Sequence, residues 1–151
     1  MTASAGSVSG IGEFPPFLVE VLLTGSPDWP RRYTASVAGE ERASGLERFA
    51  IDGSLSATYP SGAGDRELAV GEGSEPDAVA AIVHTILSRN PRCRRVVTAA
   101  PVGDLAAIAL AEEAGFRYVV DVDTHSAELS LLVAEPEWVL ALPSAIEDIP
   151  L

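Results

Sequence analysis

The feature that most constrains this chain is a change of hydrophobic period near residue 75. Upstream, apolar residues come in short runs cut by turn residues, the habit of β-strands. Runs at 17–24, 33–38, 43–51, 54–59 and 67–71 read as strands, divided by Gly25-Ser26-Pro27, Gly39-Glu40-Glu41 and Pro60-Ser61-Gly62. Downstream, Val79, Ile82, Val83, Ile86 and Leu87 recur at three- and four-residue spacing, so 75–88 predicts an amphipathic helix. Ser74 is placed to cap it, Pro76 is compatible with its first turn, and Asn90-Pro91 ends it. A buried strand over 94–99 follows, then a helix over 104–114 with Gly115 just past its end. Strands over 117–123 and 128–133 complete the order.

This order predicts an α/β (α+β) domain with a mixed, mostly antiparallel sheet flanked by helices. The helical crossover should set 94–99 parallel to 67–71. The two helices are expected on opposite faces. Val79, Ile82, Val83, Ile86, Val96, Ile108 and Phe116 should form the core.

A chain of 151 residues is long enough for one domain with a real core. No apolar run reaches the roughly 18 residues of a membrane span, so no membrane partner is expected. Residues 1–13 are small and polar, without a basic start, and read as a flexible arm rather than a targeting signal. A cytoplasmic location is expected. The domain proper should cover 14–135. The extension 136–151 carries Trp138, Val139, Leu140, Leu142, Ile146, Ile149 and Leu151. An apolar extension packs on its own domain or on another chain, and a homo-oligomer or partner protein is the favoured reading.

The net charge is −12, and all ten basic residues are arginine. Nucleic acid is therefore excluded as a partner, because phosphate binding needs basic surface. An anionic cofactor would need local basic groups to overcome the acidic field. The single cysteine, Cys93, cannot form an internal disulfide. Arg92, Arg94 and Arg95 could lower its pKa, yet the apolar run beginning there favours a packed, structural thiol. His84 and His125 are the only histidines. His84 reads as half-buried on its helix and His125 as exposed in a turn. Neither a Ser-His-Asp set nor a metal site follows from them.

Two stretches carry a resemblance. Residues 111–117, Ala-Glu-Glu-Ala-Gly-Phe-Arg, look like the "ekaGFr" signature of the GNAT (Gcn5-related N-acetyltransferase) superfamily. Arg94-Arg95-Val96-Val97 with Pro101 resembles the strand that precedes that signature. A narrower pattern is similar to hydroxamate-siderophore N-acyltransferases of the aerobactin and mycobactin type. It runs through Val37-Ala38-Gly39, Glu47, Ser54-Leu55, Tyr59-Pro60, Gly64-Asp65 and Leu68-Ala69-Val70-Gly71. The resemblance implies transfer of an acyl group from acetyl-CoA or another acyl-CoA to an amine or hydroxylamine of a small molecule. It places the cofactor at Val70, Gly71, Gly73, Ser74, Ala78 and Asp104. It offers Glu67 as a base and sets His125 where the family carries a lysine.

The chain departs from that pattern at its functional parts. The family's pyrophosphate loop, Arg/Gln-x-x-Gly-x-Gly/Ala, corresponds here to residues 71–78, Gly-Glu-Gly-Ser-Glu-Pro-Asp-Ala. Glu72, Glu75 and Asp77 bring carboxylates there, and Pro76 removes a donor N–H. The family's asparagine falls on Asp104 and its proton-donating tyrosine on Ala111. Only 25–32 separates the first two expected strands, too little for the two front helices such proteins carry, which are therefore expected to be shortened or missing. Weak or absent acyl-CoA binding is expected. A non-catalytic GNAT-like subunit, a pseudoenzyme serving a complex, is the alternative reading, and an unrelated α/β binding protein the third.

Overall fold

The computed structural model of the protein describes residues 8–14, 16–58 and 61–136. The strands are β1 (Val8–Phe14), β2 (Phe17–Leu23), β3 (Arg31–Val37), β4 (Glu40–Phe49), β5 (Arg66–Val70), β6 (Val96–Pro101), β7 (Arg117–Asp123) and β8 (Glu128–Ala134). The helices are α1 (Pro76–Arg89) and α2 (Leu105–Glu113). One sheet holds all eight strands in the order β1-β2-β3-β4-β5-β6-β8-β7. Every neighbouring pair is antiparallel except β5 and β6, which are parallel as the helical crossover requires.

Four expectations change. Residues 8–13, read as part of a loose arm, are strand: β1 pairs antiparallel with β2, from Val8↔Leu22 to Phe14↔Phe17. The run at 54–59 is not a strand over its described part. Ser54–Ala57 is a 3-10 turn, in which Ser56 N–H donates to Gly53 O and Thr58 N–H to Leu55 O. The Ser56 and Thr58 hydroxyls add bonds to the same two carbonyls, so local side-chain bonds hold the turn closed. Ser74 does not cap α1. Glu75 holds the N-cap position without a side-chain bond, because Ser74 Oγ is engaged with the backbone of Ser44.

The fourth change concerns the helices, which lie on one face. α1 packs on β1 to β4 and β6, α2 packs on β6 to β8, and the two helices touch. The crossovers β5-α1-β6 and β6-α2-β7 run the same way along the sheet. With the usual right hand, both must put their helix on the same side. The main core lies beneath them and joins Val79, Ile82, Val83 and Ile86 of α1 to Leu68, Val96, Leu132 and Phe116. Ile108 is only partly buried against it. Side chains of opposite parity, Val97, Leu131 and Val133, face the other way and cluster with Leu55. No α-helix packs there among the described residues. Only residues 24–30 join β2 to β3, in keeping with missing front helices. Of the apolar extension, Pro136 alone is described, and 137–151 lie outside the described residues, as do Tyr59 and Pro60.

The "ekaGFr"-like stretch has a physical explanation. α2 ends at Ala114, and Gly115 follows with φ +106°, a conformation costly for any side chain. Phe116 N–H then reaches Ala111 O and Gly115 N–H reaches Glu112 O, a Schellman closure. That closure drops Phe116, 3 % exposed, into the main core.

Candidate functional site

β5 and β6 pair only at Arg66↔Val96 and Glu67↔Val97. Beyond this point the strands part, tied once more where Thr98 Oγ1 donates to Leu68 O at 2.8 Å. The parting opens a wedge of about 470 Å³. Val70, Gly71, Glu72 and Gly73 form one wall, Thr98 to Pro101 the other, and Asp104, Ala107, Leu110 and Ala111 lie across it.

Alternate residues of a strand bond to alternate neighbours. Gly71 N–H bonds to Ser44 O on the β4 side, at 2.7 Å, whereas Arg66 N–H bonds to Arg95 O on the other. Val70 shares the parity of Arg66, so its N–H and C=O face the side that β6 has vacated. An extended ligand with amide groups can bond there as an added strand does, and the N–H can hold a carbonyl oxygen as negative charge develops on it.

The loop entering α1 is sewn to β4. Gly71 lies so close that an added Cβ would sit 2.2 Å from Ser44 Oγ. Ser74 N–H bonds to Gly71 O, Glu75 N–H bonds to Arg42 O, and Arg42 also pairs with the Glu75 carboxylate at 3.3 Å. Pro76 has no N–H. From Ser74 to Ala78, this leaves the amides of Asp77 and Ala78 as the free donors of the first turn. No arginine lines the wedge, while Glu72 and Asp104 do. Asp104 is partly occupied, since its Oδ1 caps α2 by accepting Ala107 N–H at 3.1 Å.

Of the eight residues singled out from sequence, Val70, Gly71, Gly73 and Asp104 line the wedge. Ser74 is turned to β4, and Ala78 is buried in the main core. Glu67 points to the helix-free face. There its carboxylate pairs with Arg48 Nε at 2.9 Å, and the Arg48 guanidinium stacks 3.8 Å from the centre of the Trp29 ring. His125 lies exposed in the β7–β8 turn and does not line the wedge. His84, read as half-buried, is exposed. Cys93 is buried as a structural thiol should be. Burial, followed by the charge of Asp65, pushes its pKa up to about 11, so the neighbouring arginines do not activate it.

Sequence reasoning missed an ionic cluster under the C-terminal end of α1. Glu47 is fully buried, with Arg31 Nε on one oxygen and Arg66 Nη1 on the other, the latter at 2.6 Å. Arg66 also donates to Asn90 Oδ1 at 2.7 Å and stacks on Phe49. Tyr33 lies nearby. Its burial, then the charge of Glu47, pushes the phenol up to about 12. The available signal was parity: Glu47 follows Ala43 and Gly45 on the inward phase of β4.

A sheet with one splayed parallel pair, a crossover helix behind the splay and a Schellman-closed helix beside it defines the fold of the GNAT acetyltransferases. Comparison with solved structures agrees. Aminoglycoside acetyltransferase AAC(6')-Ib, in complex with coenzyme A and kanamycin, superposes with a TM-score of 0.60 at 22% identity, over 71% of this chain and 67% of that one. An uncharacterised protein from Bacillus halodurans gives 0.64 at 14% identity, over 78% and 63%. Ribosomal-protein-alanine N-acetyltransferase from Brucella melitensis gives 0.50 at 14%, over 70% and 68%. The chain thus spans about two thirds of the length of these neighbours, and at such identities the likeness is one of fold. No known family's sequence profile matches the chain, and no curated protein does.

Proposed function

We propose that the chain is an N-acyltransferase that takes its acyl group from acetyl-CoA or another acyl-CoA and passes it to an amine or hydroxylamine of a small molecule. A siderophore-type hydroxylamine is the finer reading. The observation that carries the proposal is the parting of β5 from β6, which bares the N–H and C=O of Val70 inside a wedge deep enough for an extended arm. The donor supplies a thioester carbonyl. Val70 would align the amide-bearing arm and steady the carbonyl oxygen. Glu72 and Asp104 would favour a cationic acceptor at the mouth. The pyrophosphate end fits poorly, because the Gly71 and Glu75 amides are committed to β4, Pro76 has none, only Asp77 and Ala78 remain as donors of the first turn, and carboxylates stand where basic groups are needed. Among the described residues that line the wedge no phenol replaces the tyrosine absent at Ala111, so the departing thiolate would take its proton from water, and the acceptor nitrogen would give up its own to water. General acid–base assistance, worth about 10²–10⁴ in rate where it operates, would be missing.

A second reading, a non-catalytic subunit, is favoured by the ion pair that holds Glu67 on the far face. Calorimetric titration with CoA and acetyl-CoA, with mass spectrometry of hydroxylamine and diamine acceptors, separates the two. Weak, saturable acetyl-CoA binding with slow acceptor acylation supports the enzyme. Absence of both leaves the subunit reading, and micromolar CoA binding at physiological salt would overturn the poor fit of the loop. The extension 136–151 is proposed to contact a second copy or a partner protein. Deleting 137–151 should then change the mass in solution, and equal monomers of equal stability would remove that role.

A further inference from the structure

A second pocket, of about 510 Å³, lies between the C-terminal end of α1 and the loop before β5. It sits at the opposite end of β5 from the wedge: Arg66, the first residue of the strand, lines it, and Val70, the last, lines the wedge. Acidic residues outnumber basic ones 22 to 10 in this chain, yet three arginines converge here. Arg66 is nine-tenths buried. Two of its nitrogens are satisfied by Glu47 and Asn90, and its Nε is buried without a hydrogen-bond partner. Arg89 and Arg92 are exposed on the rim and pair with no carboxylate among the described residues.

The pocket wall is built rather than loose. Asp65, 3 % exposed, accepts Gly62 N–H at 2.9 Å and Arg94 N–H at 3.2 Å, while Asp65 O accepts Ala50 N–H at 2.9 Å. Its carboxylate therefore clamps the two loops that frame the pocket and does not line the pocket itself. Cys93, also at the wall, keeps its proton and offers no nucleophile.

We propose that this pocket binds a small oxyanion, the carboxylate or phosphate of a metabolite-sized ligand. Arg89 and Arg92 would grip it, with Arg66 supplying positive potential from below. A guanidinium matches either oxyanion through paired, charge-assisted hydrogen bonds. The Cluster of Arg31, Glu47 and Arg66 retains one net positive charge, and the helix C-terminus, the negative end of α1, offsets only part of it.

The test is calorimetric titration of the full chain with inorganic phosphate and with citrate, at low salt, in the wild type and in the Arg89→Gln/Arg92→Gln variant. Both substitutions are at exposed positions, and circular dichroism checks that the variant folds. Saturable wild-type binding of either probe, weakened at least about tenfold in the variant, is expected, since two charge-assisted contacts are lost. Phosphate binding without citrate binding points to a phosphate ester, and the reverse to a carboxylate. No saturable binding of either probe, or binding that the variant leaves unchanged, overturns the proposal.

Discussion

Replacing Glu47 by glutamine tests the ionic cluster most directly. The carboxylate is fully buried and is shared by Arg31 and Arg66. Glutamine keeps the volume but removes the charge and turns an amide N–H₂ toward one guanidinium. Breaking a buried ion pair by removing one partner costs about 3–5 kcal/mol. Arg31 retains 21% side-chain exposure and can turn partly to water, so the lower end, about 3 kcal/mol, is expected. For a chain of this size that lowers Tm by about 6–12 °C. Urea unfolding followed by circular dichroism should show a lower midpoint at an unchanged slope. Glu40→Gln is the control, because the Glu40–Arg42 pair is exposed and worth about 0–1 kcal/mol. Replacing all three charges together, Arg31→Met, Glu47→Leu and Arg66→Met, should recover much of the loss, since no charge is then left buried alone. If Glu47→Gln unfolds within about 1 kcal/mol of wild type, the cluster does not hold the sheet and the reasoning fails.

Truncating Phe116 to alanine should cost about 3–5 kcal/mol, read from the same urea midpoint, because a large ring leaves a core that cannot close around the gap. Tyr33, with its phenol raised to about 12, binds its proton more tightly folded than unfolded. Its contribution to stability is therefore full below the ordinary value of about 10 and is lost as pH rises toward the folded value. Comparing urea midpoints below and within that window should show an alkaline loss that Tyr33→Phe reduces; an equal loss in the variant would assign it elsewhere. Cys93 should resist a thiol-labelling reagent at about pH 8 until urea unfolds the chain, and rapid labelling of the native protein would contradict its burial. Glu72→Gln and Asp104→Asn should each tighten acetyl-CoA binding about fivefold, from roughly 1 kcal/mol of repulsion removed; asparagine preserves the cap on α2.

Most elements of the fold are legible in the sequence because their signals are local. The apolar period over 75–88 matches α1 at Pro76–Arg89, and Asp104 and Gly115 bracket α2 as caps do. What is not legible depends on pairing at a distance. Val79 and Ile82 say which side of α1 faces the sheet, but which face of the sheet receives α2 follows from strand order, and no residue records it. β1 escapes notice because residues 1–13 are rich in glycine and serine, which carry no apolar strand pattern of their own. At the site, the glycines before α1 mark the loop, and Val70, Gly71 and Gly73 fall on the wedge. Glu67 does not fall there, because its parity on β5 turns it to Arg48 and away from the helices.

The strand order also bears on how the chain is made. β6 is synthesised well before β8, yet β8 is inserted between β6 and β7, pairing with β6 along its whole length from Val96↔Ala134 to Pro101↔Leu129. While the ribosome is adding residues 102–127, the valine- and alanine-rich edge of β6 has no partner on that side. An open apolar strand edge is a template for aggregation. A chain ending early in this interval would carry the first five strands, α1 and that open edge, and should be cleared or precipitate rather than persist as a smaller domain. The keystone of the sheet is thus the last-made strand among the described residues, and the edge of β6 is covered only when Ala134 has emerged.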